Sequence, residues 1–194
     1  MYQIKTTNGY DFFEVASAFQ KTIRRGMEEE ALYWGLELLE SNFHKYAWKR
    51  MLVIAAEDVG LANPQLIIQI KALVDSDEWI QKNRKDKKPS RIHFVMGILL
   101  CVRSVKSRIV DNSNIYYRIK REQGMRLEIP SFSLDMHTNR GKKMGQTFKE
   151  FHYDGAMLAN IGYIEGEQFY FDKISQLIEE GCFKSKQDEE PTLL

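Results

Sequence analysis

The sequence predicts an all-α protein, a multi-helix bundle with an irregular segment near 125–165. Two observations carry this. Apolar residues recur at helical spacing along most of the chain, beginning with Phe12, Val15, Ala16, Phe19 and Ile23. The repeat is punctuated by Gly, Asn-Pro and polar runs that start or stop helices. At 194 residues, with 43% hydrophobic and 12% aromatic content, the chain can bury a core and reads as globular rather than disordered.

The elements follow in order. Gly26 closes the first helix. The second lies within MEEEALYWGLELLES, whose glutamates face the positive end of the helix dipole, with Leu32, Leu36 and Leu39 as its inner stripe. The third, FHKYAWKRMLVIAAEDVG, is more apolar and so central, with Gly60 as a left-handed cap. Asn63-Pro64 reads as N-cap and first residue of a fourth helix, with Leu66, Ile67, Ile70, Leu73 and Val74 continuing it. The basic connection KNRKDKKPSR is the best candidate for a joint, near 83–91. A fifth helix runs from Arg91 to about Asp111, with Phe94, Val95, Ile98, Leu99, Val102 and Val105 as its stripe. NIYYRIKREQ is a short sixth, capped by Ser113 or Asn114 and stopped by Gly124. Residues 125–137 read as extended around Pro130, and Gly141, Gly145 and Gly155 break the next stretch. Tyr170, Ile174, Leu177 and Ile178 mark a last helix ended by Gly181. Residues 1–183 thus read as a single helical domain, and 184–194 as a disordered acidic tail.

Several function classes are disfavoured. The longest apolar runs, MLVIAA and VMGILLCV, fall far short of the ~20 residues of a membrane span. MYQIKTTNGYDFF has neither a basic n-region nor an apolar h-region, so no signal peptide is expected. Two cysteines are too few for a disulfide framework, and a cytoplasmic protein with reduced thiols is expected. There is no G-x-x-x-x-G-K-[ST], no G-x-G-x-x-G, no H-E-x-x-H and no Cys/His cluster with zinc spacing. No catalytic residue, metal or cofactor is expected.

Net charge is +1, but it is unevenly spread. Residues 82–149 carry 17 Lys and Arg against 5 Asp and Glu; the remainder carries 11 against 22. Such segregation predicts a polyanion-binding face, or a basic surface that meets an acidic one. The candidate nucleic-acid ligands are Arg84, Lys85, Lys87 and Lys88 in the connection, Lys106, then Arg118, Lys120 and Arg121 beside Tyr116 and Tyr117, and Arg140, Lys142 and Lys143 in the glycine-broken segment. An amphipathic helix with its tyrosines half in the core is the alternative for the middle group.

Glu57 and Asp58 lie in the last turn of the third helix, where carboxylates oppose the dipole. A partner is therefore expected. Arg24, Arg25, Lys49 and Arg50 are the nearest cations; Arg50 is two turns from Glu57 on one helix, too far to pair directly. The carboxylates should reach another helix or another chain. As an acid–base or metal pair they would converge poorly, since helix neighbours point about 100° apart. Asp135 and His137 share a face if extended, and they carry the alternative reading of a small nucleic-acid-processing enzyme.

Residues 19–65 resemble the C-terminal region of the RarA/MgsA family of replication-associated recombination AAA+ ATPases. The matching residues are Lys21, Ile23, Arg24, then Ala31-Leu32-Tyr33-Trp34, then Arg50, Leu52, Ile54, Ala55, and Glu57, Asp58, Gly60, Leu61, Ala62 and Pro64. Ala56 stands where the family has serine. Lys106 and Ser107 match a Pro-Lys-Ser-Asn segment, from which Val105 and Arg108 depart. The resemblance is strong over about 45 residues, weaker to about 120, and absent from 125–194. It implies an all-helical module similar to a clamp-loader collar, forming a dimer or tetramer and acting in replication or recombination with DNA, a separate AAA+ ATPase or another replication protein. The family's Walker motifs precede the resembling region, so no ATP hydrolysis by this chain is implied. It also makes Arg24, Arg50, Glu57, Asp58, Gly60 and Pro64 a structural motif, with the acidic pair in a charge network to Arg24 or Arg50.

Overall fold

The computed structural model describes residues 4–159, 162 and 164–183. The chain divides into two compact units, residues 1–125 and 126–194. In the first, Asp11 starts α1 (Phe12–Arg24): its Oδ1 accepts the N–H groups of Phe13 at 2.8 Å and Glu14 at 3.1 Å. There follow α2 (Glu28–Glu40), α3 (His44–Ile54), α4 (Leu66–Asn83), α5 (Arg91–Arg103) and α6 (Ile109–Glu122). The core is built from Phe19 and Ile23 of α1, Leu38 of α2, Met51 and Ile54 of α3, Leu66 and Ile70 of α4, and Phe94 and Ile98 of α5. In α6 no residue is buried. No described helix is long and apolar enough to cross a membrane.

Packing moves several expected features. Leu39 is buried as expected, but the rest of the buried line of α2 is Ala31, Gly35 and Leu38, and Leu32 and Leu36 are only partly buried. Close approach is the reason. A Cβ on Gly35 would stand 2.5 Å from Cδ1 of Ile98 and 2.8 Å from Cε2 of Phe19, so only a missing side chain lets α1, α2 and α5 meet there. The long fifth helix is two helices, broken between Ser104 and Arg108. Lys106 explains the break: its Nζ donates to the carbonyls of Cys101 (2.8 Å), Val102 (2.8 Å) and Ser104 (2.6 Å), closing the C-terminus of α5. Val105 is consequently exposed, and α6 starts at Ile109 rather than near Asn114.

Beyond Ile54 the backbone widens into a π turn, Ala55–Val59, and then a 3₁₀ turn, Gly60–Ala62. Gly60 has φ 49° and ψ −125°, a positive φ but not the expected left-handed helical cap. The α4 helix begins two residues later than expected, because Asn63 lies against α5, its Nδ2 donating to Oγ of Ser104 at 3.3 Å. The connection 84–90 lies inside the first unit and is anchored. Asp77 of α4 accepts Ser90 N–H at 2.5 Å and Nε1–H of Trp48 at 2.8 Å, tying α3, α4 and the start of α5 together. The division between units falls instead after Met125. The expected acidic tail lies outside the described residues.

The second unit holds α7 (Asn139–Lys143), α8 (Phe148–Glu150) running into a π turn, Phe151–Gly155, and α9 (Glu167–Glu179). Its packing is largely aromatic: His152 stacks on Phe171 at 4.3 Å, and Phe148 on Phe183 at 4.2 Å. No residue of α9 is buried. Cys101 is buried and Cys182 exposed; burial pushes the Cys101 thiol up to about 12.

Gly35→Ala should destabilise the protein by about 1–3 kcal/mol through overpacking, read as a lower urea midpoint at unchanged m-value. A thiol titration of the native protein should find one fast-reacting cysteine, Cys182, and two after unfolding.

Candidate functional site

The Glu57-Asp58 pair lies in the π turn and meets cations from two other segments. Arg24 of α1 spans both carboxylates, with Nε 2.6 Å from Oδ1 of Asp58 and Nη2 3.0 Å from Oε1 of Glu57. Arg108 does the same from just before α6, with Nη1 2.8 Å from Asp58 Oδ1 and 3.3 Å from Glu57 Oε1. Its Nη2 pairs with Asp111 at the start of α6. The Asp58 side chain is fully buried, whereas those of Arg24 and Arg108 are 31% and 36% exposed. Gln20 adds weaker bonds to Glu57 at 3.2 Å and Asp58 at 3.3 Å. Burial opposes the charge on Arg108, but Asp111, Asp58 and Glu57 outweigh it and hold the guanidinium above its ordinary pKa.

Arg50 is one step removed. Its Nη1 donates to Gln20 Oε1 at 3.1 Å and its Nη2 to the Tyr46 hydroxyl at 2.5 Å, so it reaches the carboxylates only through Gln20. Sequence reasoning missed Arg108 altogether. Its departure from the family's pattern, with Asp111 one turn on, was the available signal. Gly60 belongs to the same junction: a Cβ there would stand 3.0 Å from Cγ2 of Val110. The Asp58 carbonyl accepts Ser107 N–H at 2.9 Å. The cluster therefore clamps α1, the π turn and the foot of α6.

The expected basic residues do not form one surface within the first unit. Lys87 lies near the N-terminus of α3, lining a recess with His44, whereas α6 packs on the turns that follow α3. The length of α3, roughly 16 Å at 1.5 Å per residue, separates the two groups. Lys106 is not a phosphate ligand: its three donors are all directed to backbone carbonyls, and burial pushes its pKa below the ordinary value. Arg84 is exposed and pairs with Asp86 at 3.0 Å. Lys120 sits 5.9 Å from the Tyr116 ring centre. Tyr116 and Tyr117 are half exposed and stay out of the core. Arg140, Lys142 and Lys143 lie on α7 of the second unit.

Asp135 and His137 form a local turn. Oδ1 accepts His137 N–H at 2.9 Å, Oδ2 lies 3.0 Å from Nδ1, and this contact holds the Asp135 carboxyl below its ordinary range. The Asp135 carbonyl packs against Gly141, where a Cβ would stand only 1.9 Å away. Among the described residues no hydroxyl or thiol is hydrogen-bonded to His137, and the contacts of the pair secure the entry to α7.

An all-helical module organised by a buried ion-pair cluster is the class these features define. The profile of the MgsA AAA+ ATPase C-terminal family matches residues 27–187, and the chain belongs to that family. The match extends well past residue 120, so the second unit is part of the family region rather than an unrelated extension. Replication-associated recombination protein A of Bacillus subtilis (strain 168) is 43% identical over 58 residues, 30% of this chain and 14% of the relative. The protein of the same name from Coxiella burnetii is 24% identical over 172 residues, 84% of this chain and 38% of the relative. That from Haemophilus influenzae is 38% identical over 58 residues, 29% of this chain and 13% of the relative. The chain thus spans well under half the length of these curated relatives.

Asp58→Ala should cost about 3 kcal/mol, because it removes the buried carboxylate and leaves two guanidinium groups with only Glu57 between them. Arg24→Ala should cost less, about 1–2 kcal/mol, since Arg108 still neutralises Asp58. A urea-denaturation double-mutant cycle on Arg24 and Arg108 should then give a non-additive loss.

Proposed function

We propose that this chain is a non-enzymatic accessory module in DNA replication or recombination, which self-associates in the cytoplasm and engages DNA alongside an AAA+ ATPase. The observation that carries the self-association is α6. A 14-residue helix with no buried residue is marginal on its own in water. At 100° per residue, Ile115, Tyr116 and Ile119 share an arc of about 100°, and all three are exposed. A second copy is the occupant we favour, because the basic segment 82–149 and the acidic remainder complement each other between chains.

The DNA reading rests on the other side of α6, where Arg118 and Arg121 project, and on Arg84, Lys85, Lys87 and Lys88 at the far end of α3, with Arg140, Lys142 and Lys143 on α7. Exposed lysines and arginines without an ordered base-reading element suit phosphate contact with little sequence preference. Family membership and the names of the relatives support the replication and recombination setting. No phosphate-cradling motif occurs in the sequence, so ATP hydrolysis is assigned to a different polypeptide or region.

Sedimentation of the wild-type chain should show a dimer or tetramer that Ile115→Asp with Ile119→Asp converts to monomer; a monomeric wild type at high concentration would remove the self-association. Lys142→Ala with Lys143→Ala should leave the assembly intact, weaken DNA binding and lower the salt-dependence slope by about one to two. An unchanged slope, or no binding to single-stranded, duplex or forked DNA at low salt, would leave the charge asymmetry serving assembly alone.

A further inference from the structure

We propose that the recess between the start of α3 and the C-terminal half of α4 binds a phosphomonoester carried on an organic body of mononucleotide size. This site lies away from the α6 surface and stands independently of the assembly reading. The recess encloses about 630 Å³, within the range of small-molecule sites. Trp48, Leu52 and Val74 give it an apolar wall, and Lys45, Lys49, Lys82 and Lys87 surround it.

Two features point to a ligand. The first is His44. It is 8% exposed, it lines the recess, and neither ring nitrogen has a hydrogen-bond partner among the described residues. Buried polar atoms are otherwise almost always bonded, so an orphaned imidazole needs an explanation. Gln81 beside it favours the charged ring, but no atom of Gln81 meets a ring nitrogen in hydrogen-bond geometry, and its Nε2 is directed to Oδ2 of Asp77 at 3.0 Å. Burial lowers the imidazole's pKa from its ordinary value, against the pull of Asp77. A neutral ring offers one donor and one acceptor, and asks for a group that can both accept and donate.

The second feature is the charge balance. Lys45, Lys49 and Lys82 form no ion pair among the described residues, and Lys87 uses one donor on the Lys82 carbonyl. The carboxylates are Glu78 and Asp77, and Asp77 already accepts from Trp48, Gln81 and Ser90. The rim is therefore cationic. The α3 helix also starts at Phe43, which cannot cap it, so its N-terminal N–H groups sit at the same end as His44 and Lys45. A phosphomonoester answers each requirement. As a dianion its oxygens accept from the ammonium groups and from the imidazole N–H, and a hydroxyl or amino group of the organic body can donate to the second ring nitrogen. A simple carboxylate brings half the charge and no such donor.

Calorimetry on the full chain tests this with deoxyadenosine monophosphate, deoxyadenosine, and a short oligonucleotide carrying either a 5′-phosphate or a 5′-hydroxyl. The monophosphate should bind and the nucleoside should not. His44→Leu should weaken that binding about tenfold, while raising the melting temperature of the ligand-free protein, because two orphaned polar atoms are replaced by apolar ones. Lys49→Ala with Lys82→Ala, both on the surface, should weaken binding too and keeps the test available should His44→Leu not fold. Preference for the 5′-phosphorylated strand over its hydroxyl counterpart would identify a strand end as the source; binding of the mononucleotide alone would identify a free nucleotide. Failure of both phosphomonoesters to bind, or a monophosphate affinity untouched by the lysine and histidine substitutions, would overturn the proposal.

Discussion

A single fully buried carboxylate, Asp58, organises the first unit. An isolated charge cannot be held in an apolar interior, so the fold must deliver cations to it. It delivers two, Arg24 from α1 and Arg108 from the foot of α6, separated by most of the unit's sequence. The π turn is what makes this possible. It carries Glu57 and Asp58 out of the regular helix so that one guanidinium spans both, which the 100° spacing of an ordinary helix would not favour. The same turn offers the Asp58 carbonyl to Ser107, so the backbone of the α5–α6 link is bound at the point where the charges meet.

The opposite end of α3 has its own buried charge, Asp77, and the contrast is informative. Asp77 is fully supplied, by the Trp48 indole, the Gln81 amide and the Ser90 backbone, and it fixes the entrance of α5. His44 lies beside it with no partner among the described residues. One polar group is structural because its bonds are closed; the other is left open at a cationic recess. Between these ends runs a core in which glycines at 35 and 97 let helices approach: a Cβ on Gly97 would stand 2.8 Å from the Trp48 ring. The central helix thus joins the ion-pair clamp to the recess through tightly packed aromatic and aliphatic side chains.

Burial falls away along the chain. The first five helices share a continuous core, whereas α6 and α9 bury no residue and still carry isoleucine, tyrosine and phenylalanine. Helices of that length draw most of their stability from packed faces. Their sequences are amphipathic in the ordinary way, and the other described residues leave that apolar surface uncovered.

Much of this was legible in the sequence. Periodicity located α1, α4 and α9, since a 3.6-residue repeat marks an apolar stripe, but it did not tell that Ile67 of α4 and the stripe of α9 would stay uncovered. Gly26, Gly124 and Gly181 marked helix ends because each adopts a positive φ that other residues resist. The unfavourable position of Glu57 and Asp58 against the helix dipole announced a partner, and the motif match indicated Arg24. Tertiary structure alone decided the rest. That Arg108 completes the clamp, that Lys106 closes a helix rather than facing solvent, and that Gly35 joins the buried line of α2 while Leu32 and Leu36 do not, all depend on which distant segments are brought within a few ångströms. A linear pattern records chemistry and period; it does not record the neighbour that a charge or a missing side chain will meet.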